Sequence, residues 1–161
     1  MKPYGYRWIF LLCAAAVTAF IWQQSTLAPV ASSETSDAVR DVVVPAVGGP
    51  TTLLGGFLDR FLRKIAHFTE FGVLGLTVEG YLAYRHSLRA DALAVAFGFS
   101  VASCDELLQL ATGRGAAVSD VLLDVCGYLT FSLLLRATCF AALQIKNKRK
   151  AGSIPATQKD A

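Results

Sequence analysis

Four apolar stretches, at about residues 8–22, 65–84, 92–111 and 120–145, decide what this chain can fold into. In water each would have to be covered on every side. A lipid bilayer accepts them directly, because about 20 residues of helix cross its hydrocarbon core. Lipid offers the backbone no hydrogen-bond partners, so such spans must be helical. The sequence therefore predicts an all-α membrane protein, a four-transmembrane-helix bundle with spans at about 8–23, 65–84, 92–111 and 120–145. Composition agrees: 54% of residues are hydrophobic and 17% charged, and the excess lies in these runs. The net charge of +3 comes from basic residues at segment ends. Membrane orientation accounts for them, and no nucleic-acid partner is implied.

The first run follows Lys2 and Arg7. Pro29 spoils the possible cleavage points after Ala28 and Ala31, so the run reads as an uncleaved helix anchored by Tyr4, Tyr6 and Trp22. Residues 24–63 form one long outer loop. Its first part is rich in Ser, Thr and Pro. Its second part is broken by Pro45, Gly48, Gly49, Pro50, Gly55 and Gly56, which predicts short amphipathic pieces along the membrane surface. Gly72 and Gly75 in the second span either admit a close neighbouring helix or are simply tolerated there. His86 falls in a short polar connection, residues 85–91, and receives no role. Arg136 lies 16 residues past Asp120, about 24 Å along a helix, and reads as an anchor snorkelling at the far interface. Residues 1–145 make one membrane domain, and the basic tail 146–161 reads as disordered. Cys13, Cys104, Cys126 and Cys139 form no CxxC pair and read as buried packing residues. A structural contact between Cys104 and Cys126 is the other option.

Four spans put both termini on one side. Lys2, Arg7, Lys146, Lys148, Arg149 and Lys150, with Arg85 and Arg89 of the middle loop, give that side eight Lys and Arg. Arg40, Arg60, Arg63, Lys64 and Arg114 give the other side five. The excess of positive charge places both termini in the cytoplasm.

This topology gathers the ionisable groups at the outer face. Lys64, His67 and Glu70 open the second span. Asp105, Glu106 and Gln109 end the third, Arg114 is in the turn, and Asp120 and Asp124 begin the fourth, where Ser119 is the expected cap. On a helix turning by about 100° per residue, each set forms one stripe that can face inward. Glu79 lies deeper and points elsewhere. Several chemistries fit. His67 beside a carboxylate suits a general base. Asp, Glu and His together suit a divalent cation. Lys64 and Arg114 suit a phosphate. The competing reading is that the charges only pair with one another and hold the helix ends together.

The run Lys64-Ile65-Ala66-His67-Phe68-Thr69-Glu70-Phe71, followed by Asp105-Glu106-Leu107-Leu108-Gln109, Gly113-Arg114, Asp120-Val121, Asp124 and Gly127, resembles the VanZ-like family of small bacterial membrane proteins. The resemblance covers about residues 8–140. The sequence departs from the family pattern at Phe71, where Tyr is common, and at Gln23-Gln24-Ser25. The founding member is associated with low-level resistance to the glycopeptide teicoplanin. The resemblance thus implies a role at the cell envelope and prescribes no reaction. The expected partner is a membrane lipid or a lipid-linked envelope precursor carrying phosphate or sugar. Lys64 and Arg114 would bind the anion, with Glu70 and Gln109 beside them. His67, Asp105 and Glu106 would do acid–base or metal work, oriented by Asp120 and Asp124. The alternative is a non-catalytic interaction or masking protein.

Overall fold

A computed structural model describes residues 7–26, 53–82, 86–113 and 117–152. They form four helices, α1 (Arg7–Thr26), α2 (Leu53–Leu82), α3 (Leu88–Ala111) and α4 (Val118–Gly152). Among the described residues there is no strand. Arg114 and most of the expected outer loop, residues 27–52, lie outside the described residues.

Three of the helices, α1, α3 and α4, are long and apolar enough to cross a membrane. The fourth expected span, α2, is not among them. It has 30 residues, ample length, but His67, Glu70 and Glu79 interrupt its apolar part. It also starts earlier than expected. Gly55 and Gly56 lie inside a continuous helix and do not separate amphipathic pieces. Each glycine costs a helix about 1 kcal/mol. The Phe57 and Phe61 rings, four residues apart, stack at 6.1 Å and help carry the helix through. At the other end of the chain α4 runs on through Lys146, Lys148 and Arg149 to Gly152, where a disordered tail was expected from residue 146. Lys, Arg, Gln and Ala are strong helix formers, and no Gly or Pro intervenes before Gly152.

The helices stand in a ring, with α2 packed on α1 and α4, and α3 closing the ring against α1 and α4. The α2–α4 contact is the most extensive. Two glycines set its closeness. A Cβ at Gly75 of α2 would run into the carbonyl oxygen of Tyr128, and one at Gly127 of α4 into that of Phe68. Each backbone thus lies in a slot opened by the other helix's missing side chain, the small-residue packing that lipid-embedded helices use. Gly75 is therefore a contact residue and not a tolerated one. Ile21, Phe71, Leu74, Val101, Ala102 and Tyr128 fill the centre. Apolar residues such as Leu12, Phe20, Leu93, Phe99, Leu122 and Phe140 face outward. A surface this apolar belongs in lipid. Cys13, Cys104 and Cys126 also face outward and Cys139 is half-buried, all as free thiols. The expectation of buried packing cysteines is corrected, since a small weakly polar thiol is acceptable against lipid.

At the α3 N-terminus Ser87 caps the helix by accepting a hydrogen bond from Ala90 N. Beside it lies a closed polar layer. Arg136 donates from Nε to Glu79 Oε1 at 3.0 Å and from Nη2 to Glu79 Oε2 at 3.0 Å and Asp91 Oδ1 at 2.9 Å. Ser132 Oγ donates to Glu79 Oε2 at 3.1 Å. His86 bridges the two acids, 3.2 Å from Glu79 and 3.0 Å from Asp91. Arg136 is thus the clamp of α2, α3 and α4, where a snorkelling anchor was expected, and His86 has a structural role. Arg7 closes the remaining helix, donating to Tyr81 O at 3.1 Å with its guanidinium 4.5 Å from the Tyr81 ring centroid.

Two substitutions test this architecture by thermal unfolding in detergent micelles. Gly127→Leu pushes α4 off the Phe68 carbonyl and should cost about 2–3 kcal/mol. Arg136→Met leaves the buried Glu79 carboxylate without its cation and should cost about 3 kcal/mol. Unfolding unchanged from wild type in either variant would count against the contact it removes.

Candidate functional site

The second polar layer is built around Asp105. On α3 the buried residues Val101, Ala102, Asp105, Glu106 and Gln109 recur at helical spacing and face the bundle interior. Asp105 is fully buried. Ser25 Oγ, from the last turn of α1, donates to its Oδ1 at 2.5 Å, and Gln109 Nε2 donates to its Oδ2 at 2.8 Å. Both donors leave each oxygen a further lone pair. Thr112 Oγ1 donates to Ser25 O at 3.1 Å and knits the ends of α1 and α3 together.

Two further helices bring His67 and Asp124 to the same place. His67 Nδ1 on α2 stands 4.0 Å from Asp105 Oδ2. Asp124 on α4 is 1% exposed, and neither of its carboxylate oxygens has a hydrogen-bond partner. One donor atom each from His67, Asp105 and Asp124 all lie within 4.8 Å of one another. The geometry follows from the α2–α4 glycine contact: Gly127 is three residues from Asp124, and Phe68, whose carbonyl it meets, is next to His67.

The other expected residues sit around this triad in different ways. Glu106 is buried and accepts a hydrogen bond from Ala117 N at 3.0 Å, so it covers a free N–H at the start of α4. Ser119, expected to cap that helix, instead lies inside it with its Oγ 3.2 Å from Asp120 Oδ1. Lys64 Nζ pairs with Asp120 Oδ1 at 3.2 Å on a half-exposed rim. Glu70 is half-buried on α2, one turn from His67. Arg114, the second expected anion ligand, lies outside the described residues. Ser25 is the residue that sequence reasoning passed over. Four spans place the end of α1 beside the ends of α3 and the start of α4, and that was the available signal. It was hidden because Ser25 looks like the first residue of a Ser-rich loop.

The two polar layers, twelve residues apart along α2, are separated by about 18 Å, with the apolar centre between them. They differ in completeness. In the Glu79 layer every carboxylate faces a cation or hydroxyl. In the Asp105 layer Lys64 pairs with Asp120 at the rim, while Asp124 has no hydrogen-bond donor on either carboxylate oxygen. Such a cluster attracts cations. His67 Nδ1 and Asp105 Oδ2, 4.0 Å apart, stand beyond direct hydrogen-bond distance.

Neither a curated protein nor a solved structure matches the chain. A sequence model of the VanZ/LLP1 family matches residues 8–141, a stretch that takes in all four helices except the first residue and the final turns. With its outward apolar faces and its spanning helices, the chain is a membrane protein, and it belongs to the VanZ/LLP1 family.

Proposed function

We propose that this protein is a four-span bundle of the bacterial cytoplasmic membrane with both termini in the cytoplasm, and that its Asp105 layer forms a pocket at the outer face for a cell-envelope component bearing a lipid-linked phosphate or sugar. The observation that carries the reading is Asp124, a buried carboxylate with no hydrogen-bond partner beside Asp105 and His67 from facing helices. Charge inside a membrane protein is costly and is kept where it serves a function. The Glu79 layer supplies the contrast, since there the same residue types are neutralised by their neighbours. α2 crosses the membrane in this reading because its ionisable groups are turned to partners within the bundle. Its extension toward Leu53 lies beyond the Asp105 layer, among headgroups.

The roles divide by position. Asp105, held by Ser25 and Gln109, and Asp124 form the floor with His67. Lys64 and Asp120, at the rim, and Arg114 meet the incoming headgroup, with Glu70 beside them. Glu106 faces the ligand in the catalytic form of this reading. The bond from Ala117 N to Glu106 favours a second role for that residue, as a cap that only fixes the α4 start. Kinship with VanZ makes altered susceptibility to glycopeptides such as teicoplanin the phenotype to examine.

Glu106→Gln separates the two roles. The Gln side-chain oxygen can still accept the Ala117 bond, so the cap survives while the charge is lost. Native mass spectrometry of the wild type extracted with its lipids should show a retained phosphate- or sugar-bearing lipid. The variant should insert, unfold at the wild-type temperature and lose most of that occupancy, about tenfold or more on the scale of one charged contact. Wild-type occupancy in Glu106→Gln would reduce Glu106 to a cap, and bare wild-type protein would sink the pocket. Orientation is tested separately. Alkaline phosphatase fused after residue 161 should be inactive, and fused after residue 113 active; the reverse pattern would invert the topology.

A further inference from the structure

The Asp105 layer has a surplus of negative charge, yet the proposed ligand carries phosphate or sits among phosphates. A bare cluster of carboxylates repels such a group. Lys64, paired with Asp120 at 3.2 Å on the rim, offsets only part of that charge. We infer that His67, Asp105 and Asp124 bind a divalent cation, of the Zn2+ or Mn2+ kind, which then presents an open coordination position to a phosphate oxygen. The second half of this inference rests on the pocket reading above; the first half does not.

Geometry supports the cation site in three ways. The three donor atoms come from three different helices and lie within 4.8 Å of one another. Ligand atoms bonded to one ion at about 2.0–2.2 Å stand roughly 3–4 Å apart, so His67 and Asp105 at 4.0 Å already have ligand spacing and not hydrogen-bond spacing. The remaining closure is about 1 Å, within reach of a small side-chain rotation. Next, Asp124 is buried with both oxygens lacking a hydrogen-bond partner. A carboxylate shielded from water and offered no donor is suited to a metal ion. Finally, Asp105 is held from behind by Ser25 and Gln109, the kind of outer support that orients metal-binding carboxylates.

Charge and ligand type narrow the ion. Two carboxylates and a neutral imidazole balance one divalent cation, leaving a neutral unit inside the bundle. Mixed nitrogen and oxygen donors favour Zn2+ or Mn2+ over Ca2+ and Mg2+, which prefer oxygen-only shells. Three protein ligands leave a position open, the arrangement of a metal that acts on or grips a further group. The Glu79 layer shows why this is not a general property of the chain's acidic clusters. There Arg136 already occupies the position a cation would take.

The full chain in detergent, purified without chelator, then stripped with EDTA and dialysed, is titrated calorimetrically with Zn2+ and with Mn2+, and its metal content is read by mass spectrometry. One ion per chain with micromolar or tighter affinity is expected for at least one of them, weakened at least 100-fold in Asp124→Asn and in His67→Gln. Ser25→Ala should weaken binding by about 10–100-fold through Asp105. Bound Co2+ should give visible ligand-field bands in the wild type that are absent in Asp124→Asn. Stripped Asp124→Asn should unfold at the wild-type temperature, since Asp124 has no hydrogen bond to lose, and metal should raise that temperature in the wild type alone. No binding, or equal binding by wild type and both ligand variants, overturns the site. Phosphatidic acid in nanodiscs and inorganic phosphate are then added to the loaded protein. Retention of phosphatidic acid alone supports a lipid headgroup, and retention of both supports a free phosphate as ligand. Metal without either keeps the cation site and overturns the pocket reading. Phosphatidic acid held equally by stripped and loaded protein overturns the metal's role in gripping phosphate and leaves the pocket standing.

Discussion

A charge inside a low-dielectric bundle has to be neutralised by something, because the cost of removing it from water is not otherwise recovered. This chain meets that constraint in two ways at two levels of one bundle. Near the α3 N-terminus the neutralising group is built in. Arg136 supplies two parallel bonds to Glu79 and a third to Asp91, and His86 and Ser132 take up further acceptor positions. Near the α3 C-terminus three helices bring His67, Asp105 and Asp124 together, and Asp124 receives no hydrogen bond. The first arrangement joins helices. The second holds back a binding capacity that something else must use.

Both arrangements depend on how closely α2 and α4 approach. The backbone contacts at Gly75 and Gly127 bring the axes near enough for short side chains to meet across the gap. His67 and Asp124 have short reach; with a bulkier residue at Gly127 they would be separated by more than a shared ligand can span. Lipid supplies no hydrophobic drive for helix association, so the closeness has to come from shape and from the polar clamp at the Glu79 layer. The structural layer and the glycine contact therefore hold the candidate site at its working dimensions from a distance. Asp124, buried with no hydrogen-bond partner, adds no bond of its own to the bundle that this scaffold holds.

Much of this was legible in the sequence, and the exceptions have physical causes. Helical spacing alone put Asp105, Gln109, His67 and Asp124 on inward stripes, since 100° per residue leaves little freedom once a span is assigned. What spacing cannot give is which acid finds a donor. Asp105 and Asp124 look equivalent in the sequence, yet one receives two hydrogen bonds and the other none. Arg136 was misread because its distance along the helix places it near an interface, where snorkelling is the default. The competing partner, Glu79, was excluded for pointing away from the other acids, which is the orientation that lets it meet Arg136. Gly55 and Gly56 were read as breaks because local propensity was weighed without the stacked Phe57 and Phe61 rings. Ser25 was lost for a related reason: a serine at the end of an apolar run looks like the start of a loop until a buried carboxylate is found opposite it.

The order of events within the Asp105 layer follows from these asymmetries. Asp105 is fixed before any ligand arrives, because Ser25 and Gln109 belong to the folded bundle and hold both of its oxygens. Asp124 is buried and unheld, so its carboxylate is able to turn toward whatever enters between α2 and α4. His67 has ring nitrogens 4.0 Å from Asp105 and within 4.8 Å of Asp124. A site with one rigid and one adjustable carboxylate can accept a guest without first breaking a hydrogen-bonded pair. Had Asp124 been bonded like Glu79, binding would have to compete with that bond, and the layer would be a second clamp. The missing partner at Asp124 is thus the feature that distinguishes a receptive site from a staple made of the same residue types.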